Sequence, residues 1–408
     1  MDVVPCLKVP QRHAQLYRKY LESQGVLDRR YGAEKHSDGT VTLPVVASAV
    51  PQLDLVALKE HVTQDSFCKI VDIQAPLSKK SKAKSVHMKL VEAAQSFLVS
   101  KGKEWSDDLE KDVPSRWQCH GDLVLFSESC FSNAVWKEIG SEFWTAVALT
   151  LGVKRIAQIK KISQDGYRTP IVTMHLGDSS YVTHIDNHIR YEFDVTKCMF
   201  SSGNITEKLR IASFDCSGET VVDLYAGIGY FTLPYLVHAN AAHVHACEWN
   251  PDAVAALQRN LEINDVSNCC TVHQGDNRQL SLSDLADRVN LGLIPSSEEG
   301  WPVACRLLKR STGGIMHIHQ NVTTPFHHEP SELNSSVEGS SVEESPLRVQ
   351  KDMQVWTAWA SETAKRICTL LLDITGSEWK TNIKHIEHVK TYAPHISHVV
   401  LDLDCKPL

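Results

Sequence analysis

The sequence has no run of about 18 apolar residues, the length a helix needs to span a bilayer. Met1 to Pro10 has no apolar core of the kind that marks a secretory leader. Among twelve cysteines there is no Cys-x-x-Cys pair, which argues against a zinc ribbon and against a disulfide-stapled secreted scaffold. The adjacent Cys269 and Cys270 read as strand residues. A reducing, cytoplasmic setting with no membrane partner is therefore expected. Positive charge is not in excess either. The net charge of −7 speaks against a wholly basic nucleic-acid binder. Part of that acidity is local, because Glu329, Glu332, Glu338, Glu343 and Glu344 fall in a Ser-rich stretch without Lys or Arg. Residues 324–350 are expected to be a disordered insertion. The rest of the 408-residue chain is closer to neutral, with an ordinary globular balance of 42% hydrophobic and 22% charged residues.

One glycine is also missing from an otherwise familiar pattern. Val221-Val222-Asp223-Leu224-Tyr225-Ala226-Gly227-Ile228-Gly229-Tyr230-Phe231 reads as a buried strand, a glycine turn and a helix start. The third glycine of a dinucleotide fingerprint would fall at Thr232, so the match to that motif is incomplete. Glu248 ends the next apolar run, Ala242 to Cys247, where a carboxylate can accept from both hydroxyls of a ribose. A ribose carboxylate without a full pyrophosphate fingerprint suits S-adenosylmethionine better than NAD. Asp276-Asn277, after a third strand, suits an adenine amino group and ring nitrogen once Asp223, Gly227, Gly229 and Glu248 are in place. By itself that pair would be a plain Asp/Asn turn.

Along the chain, residues 9–24 look helical and residues 41–75 alternate like strands. Lys79-Lys80-Ser81-Lys82-Ala83-Lys84 reads as a solvated linker rather than a phosphate site. A second unit begins near Trp117, with Lys154 to Lys161 as a strand whose basic residues flank isoleucines, a pattern compatible with nucleic-acid contact. From Phe214 onward strands are predicted at 219–224, 242–247, 270–275, 287–294, 313–319, 383–391 and 396–403. Helices are predicted at 230–239, 251–264 and 352–375. The expected fold is α/β: a class I methyltransferase-like, doubly wound seven-stranded sheet, preceded by smaller α+β domains. The expected domains are 1–112, 113–213 and 214–408. Asp223, Glu248, Asp276 and Asn290 fall at the carboxyl ends of strands, where such sheets bind ligands.

The Asn-Pro-Pro-Tyr tetrapeptide of many base-modifying methyltransferases is absent after the fourth strand, where Asn290-Leu291-Gly292-Leu293-Ile294-Pro295 stands. His317 and His319 share one strand face, but no third metal ligand is evident, so hydrogen-bonded histidines and no metal are expected. Phe200-Ser201-Ser202-Gly203-Asn204-Ile205-Thr206-Glu207-Lys208 reads as a capped helix, or as a lid with Lys208 facing a carboxylate.

These segments together resemble the tRNA wybutosine-synthesising protein 2 family, relatives of the tRNA guanine-37 N1-methyltransferases. The resemblance is carried by Phe200 to Asn204, Asp223 to Phe231, Glu248-Trp249-Asn250-Pro251, Gly275-Asp276-Asn277, Asn290 to Ser297 and Val389-Lys390-Thr391-Tyr392-Ala393-Pro394-His395. It implies transfer of the 3-amino-3-carboxypropyl group of S-adenosylmethionine to C7 of 4-demethylwyosine, at position 37 of phenylalanine tRNA. It also implies that Ser201, Lys208, Glu248, Asp276 and Asn277 contact the cofactor. No general base is named, and solvent suffices for an electron-rich tricyclic base. Tyr225, Tyr230 and Trp301 are candidates for holding that base. One competing reading is the guanine-37 N1-methyltransferase, weakened because no proline follows Asn290-Leu291. The other is a non-catalytic tRNA-binding protein, weakened by the intact glycine turn and Glu248.

Overall fold

A computed structural model describes residues 3–62, 66–78, 84–325 and 346–408. The basic linker at 79–83, most of the acidic insertion, and His327 and His328 lie outside the described residues. The chain divides into two compact units, Met1–Ser96 and Phe97–Leu408, so the expected middle and C-terminal domains fall within one unit.

In the first unit β1 (Val3–Pro10) is followed by α1 (Ala14–Ser23), β2 (Glu34–Lys35), β3 (Thr40–Pro44), α2 (Leu55–Val62) and β4 (Lys69–Gln74). The strands form an antiparallel sheet ordered β2-β3-β1-β4. Leu7 and Val9 of β1 and Leu43 of β3 pack on Tyr17 and Leu21 of α1. Two expectations are corrected here. Val9 and Pro10 are strand residues, paired with Val41 and Thr40, and α1 starts only after a short turn. Residues 41–75 are strand only at their two ends. Asp54 accepts hydrogen bonds from the Val56 and Ala57 N–H groups at 2.9 and 3.1 Å, a cap that starts α2 in the middle.

Helix α3 (Val86–Ser100) contains the point of division. The second unit continues with α4 (Asp107–Asp112), β5 (Gln118–His120), β6 (Leu123–Ser127), α5 (Ala134–Glu138), α6 (Ser141–Leu151), β7 (Arg155–Ile162) and β8 (Pro170–Leu176). These strands form a sheet ordered β5-β6-β7-β8. On β7, Ile156 is buried while Lys160 and Lys161 face solvent. A hairpin, β9 (Tyr181–Asp186) and β10 (Ile189–Asp194), and helix α7 (Ile205–Ala212) lead into the large sheet.

That sheet comprises β11 (Thr220–Asp223), β12 (His243–Glu248), β13 (Cys270–Gln274), β14 (Arg288–Leu291), β15 (Gly314–Thr323), β16 (Trp379–Ala393) and β17 (Ile396–Pro407). Its helices are α8 (Thr232–Val237), α9 (Pro251–Ile263), α10 (Trp301–Leu307) and α11 (Pro346–Thr375). The strand order is β13-β12-β11-β14-β15-β17-β16. The first five run parallel, and β17 is antiparallel to both β15 and β16. Seven strands were expected, and the last two are longer than their apolar cores suggested. Helix α11 begins at Pro346, inside the range expected to be disordered. Val221 and Val222 of β11 pack into different hydrophobic clusters, which is why this strand reads as continuous apolar sequence. Pro251 opens α9, and the Asn250 side chain accepts from the Asp252 N–H at 3.0 Å. The sheet order reverses between β12-β11 and β14-β15, and a crevice opens at such a switch point beyond the strand ends.

Candidate active site

A cavity of about 630 Å³ occupies that crevice. It is lined by the turn after β11, the end of β12, the residues after β13 and β14, and the upstream segment at Cys198, Met199, Ser201 and Asn204. The β7–β8 connection adds Tyr167 and Arg168.

The turn after β11 needs both of its glycines. Gly227 and Gly229 have φ of 56° and 102°, in the left-handed region. A Cβ on Gly227 would collide with the Tyr230 ring, and one on Gly229 would stand 3.0 Å from Leu257 Cδ1. Beneath the turn Asp223 is fully buried. It accepts from Thr232 Oγ1 at 2.8 Å and from Asn290 Nδ2 at 3.0 Å. Burial raises the pKa of this carboxyl, and the two donors oppose that shift. Asp223 and Asn290 thus tie β11 to β14 at the switch point. Neither lines the cavity, nor does Gly229. These three, expected among the cofactor contacts, form the floor.

Glu248 stands at the cavity wall. Its Oε1 accepts from the Trp249 and Asn250 N–H groups at 2.9 and 2.8 Å, and its Oε2 from the Gly227 N–H at 2.8 Å. Burial raises its pKa, against the pull of those three N–H groups. A carboxylate oriented in this way retains lone pairs for ribose hydroxyls. Asp276 and Asn277 also line the cavity. Asp276 accepts from the Arg278 guanidinium, at 2.8 Å from Nη2, which holds its pKa below the usual carboxylate range. Asn277 Nδ2 donates to the Leu224 carbonyl at 2.7 Å.

Ser201 lines the cavity, but Lys208 does not. Helix α7 turns Lys208 inward, where its ammonium pairs with Asp186 of β9 and lies 4.9 Å over the Phe200 ring. The carboxylate it faces therefore belongs to the protein. Tyr225 and Tyr230 line the cavity, whereas Trp301 is buried in the sheet's core. Tyr167 and Arg168 were not singled out from the sequence, and Asn204 only as part of the Phe200–Lys208 segment. Arg168 comes from a loop with no motif, and it donates to the Ile294 carbonyl of the Asn290–Ser297 segment.

The strand histidines are internal partners. His317 Nδ1 lies 2.7 Å from Asp402 Oδ1, and His319 Nδ1 lies 3.0 Å from His398 Nε2. Among the described residues no cluster of three His, Cys, Asp or Glu could hold a metal. No helix among them is long and apolar enough to cross a membrane.

The strand order, the glycine turn and the oriented carboxylate define a class I S-adenosylmethionine-dependent transferase. The TRM5/TYW2 methyltransferase domain matches residues 182–337, and TYW2 N-terminal domains match 6–83 and 100–180. A tRNA wybutosine-synthesizing protein 2 homolog of Danio rerio is 93% identical over all of both chains. That of Rattus norvegicus is 50% identical, over 100% of this chain and 97% of the relative. Among solved structures, TYW2 of P. horikoshii in complex with MeSAdo is 26% identical with a TM-score of 0.56, over 78% of this chain and 99% of that one. Trm5b of Pyrococcus abyssi shares the fold, with a TM-score of 0.57 over 99% of each chain at 20% identity. The chain belongs to the tRNA wybutosine-synthesizing protein 2 family.

Proposed function

We propose that this protein transfers the 3-amino-3-carboxypropyl group of S-adenosylmethionine to C7 of 4-demethylwyosine at position 37 of phenylalanine tRNA, in the cytoplasm. The observation that carries this reading is a cavity whose turn, Glu248 and Asp276-Asn277 suit an adenosine, in a chain of this family along its whole length. At about 630 Å³ the cavity is of the size that takes a ligand like S-adenosylmethionine.

S-adenosylmethionine supplies a sulfonium with three electrophilic carbons. Attack at the γ-carbon breaks its bond to sulfur, forms the bond to C7, and releases 5′-methylthioadenosine and the C7 proton. The protein's part is placement, because the reacting atoms must come in line at about 3–3.5 Å. Glu248 accepts from the ribose, Asp276 and Asn277 meet the adenine, and Ser201 approaches the amino-acid arm. Asp223, Asn290, Gly227 and Gly229 hold the floor and turn rigid. Lys208, joined to Asp186 under Phe200, supports the turn that carries Ser201. For the tRNA we assign the N-terminal unit and the Trp117–Ile162 region to docking, with Lys160 and Lys161 exposed for phosphate contacts. Tyr225 and Tyr230 are assigned to the target base.

The test uses two preparations of S-adenosylmethionine, one labelled on the methyl and one on the carboxyl carbon, with phenylalanine tRNA carrying the tricyclic precursor. Label entering tRNA only from the carboxyl preparation is expected. Label only from the methyl preparation would make the protein a methyltransferase. Label from neither, on tRNA that serves another enzyme of the family, would leave a binding protein.

A further inference from the structure

A second hollow of about 230 Å³ shares Cys198, Met199 and Ser201 with the large cavity. Its walls are largely apolar, with Ile159, Phe193 and Phe200 among them, yet Lys390 of β16 also lines it. Lys390 belongs to the Val389–His395 segment, to which the proposed function assigns no role. Its side chain is half-buried and has no carboxylate partner among the described residues. Burial holds its ammonium below the ordinary lysine range, with no acidic group opposing. His398, opposite it on β17, is kept neutral by burial and by that ammonium. Lys208, the cation expected beside Ser201, is already paired with Asp186.

Two neighbours make this placement specific. A Cβ on Gly203 would run into the Lys390 ammonium and stand 3.2 Å from its Cδ and Cε, so a side chain at 203 displaces the lysine from this position. Asn204 lines the large cavity at 9% exposure, and its Oδ1 has no donor among the described residues. An unpaired cation and an unpaired acceptor therefore flank the 201–204 turn. Such a pair matches the two charges of an amino-acid zwitterion.

We propose that the smaller hollow receives the carboxylate of the amino-acid arm of S-adenosylmethionine, held by Lys390, while Asn204 Oδ1 accepts from the arm's ammonium. The assignment rests on the proposed function for its purpose: anchoring the far end of the arm restricts its rotation and presents the γ-carbon rather than the methyl. Lys390 is then a positioning residue. A tRNA phosphate would satisfy the same ammonium, so the test separates the two anions.

Dissociation constants for S-adenosylmethionine and for 5′-methylthioadenosine, which lacks the arm, are measured by calorimetry on the full chain and on Lys390→Met and Gly203→Ala. Binding of tRNA is measured alongside. Both variants are expected to bind S-adenosylmethionine roughly tenfold or more weakly, and 5′-methylthioadenosine within about twofold of the parent, with tRNA binding unchanged. Unchanged affinity for S-adenosylmethionine overturns the proposal, as does an equal loss for both small ligands. A loss confined to tRNA gives Lys390 to a phosphate and overturns it too. Binding is read without turnover, so absence of carboxyl-label transfer by the parent protein would refute the proposed function and not this assignment.

Discussion

Replacing Glu248 by glutamine keeps the shape of the side chain and removes its charge and one acceptor oxygen. The carboxylate serves three backbone N–H groups, two through Oε1 and one through Oε2. A glutamine has a single carbonyl oxygen. Turned one way, its NH2 confronts the Gly227 N–H, and turned the other way the Trp249 and Asn250 N–H groups, donor against donor in either case, and one ribose hydroxyl loses its acceptor. A hydrogen bond to a charged group contributes about 1.5–3 kcal/mol, so the lost ribose bond alone predicts a roughly 10- to 150-fold weaker complex. The donor conflict adds to this by disturbing either the glycine turn or the start of α9. Calorimetry should register the loss for both S-adenosylmethionine and 5′-methylthioadenosine, because each carries the ribose. This is the opposite pattern from Lys390→Met, which should spare the second ligand. If Glu248→Gln binds both ligands within about threefold of the parent, Glu248 does not hold the ribose, since a bond to a charged acceptor cannot be worth so little in a half-buried wall.

Other variants test the frame around the cavity. Asn290→Ala removes the Asn290 donor to the fully buried Asp223 and should destabilise the fold by about 1–3 kcal/mol in urea melts, with no unpaired-carboxylate penalty visible in an Asp223→Asn/Asn290→Asp double variant that restores a donor–acceptor pair. Lys208→Met leaves the nearly buried Asp186 without its cation, and a loss of about 3–5 kcal/mol is expected by the same measurement; a loss below about 1 kcal/mol would refute a buried, structure-bearing pair. His120 is pushed down to about 4 by burial among Phe193 and Phe200, with His184 adding to the shift. It stays neutral in the folded chain while the unfolded chain takes up a proton near pH 6.5. Its contribution is therefore complete above about pH 6.5 and is lost as pH falls toward about 4; His120→Phe should make stability less dependent on pH across that window by about one proton, and an unchanged slope refutes the shift.

Parts of the molecule were legible in the chain because local chemistry leaves no alternative. Val221 and Val222 must be buried on both faces, and Gly227 and Gly229 must be glycines where φ is left-handed. Asn250-Pro251 must open a helix, since one caps and the other lacks an N–H. The helix at 55–62 was missed because Leu55, Val56 and Leu58 suit either period, and the deciding signal is the Asp54 cap. The last two strands were drawn short because exposed polar residues such as Lys380 and Asn382 continue a ladder whose hydrogen bonds are backbone only.

Within the site, sequence spacing located Glu248, Asp276 and Asn277 at the cavity, because each ends a parallel strand and all such ends open on one crevice. It could not separate wall from floor. Asp223 and Asn290 end strands as well, but they point at each other, and only the pairing of β11 with β14 decides that. Nor could it say which lysine is free. Lys208 lies in the more suggestive motif, yet Asp186 from the preceding hairpin claims it, while Lys390, from the far edge of the sheet, is brought beside Ser201 with no carboxylate partner among the described residues. Charge and residue type are properties of the chain, but whether a charge is already neutralised depends on what the folded backbone places within reach of it.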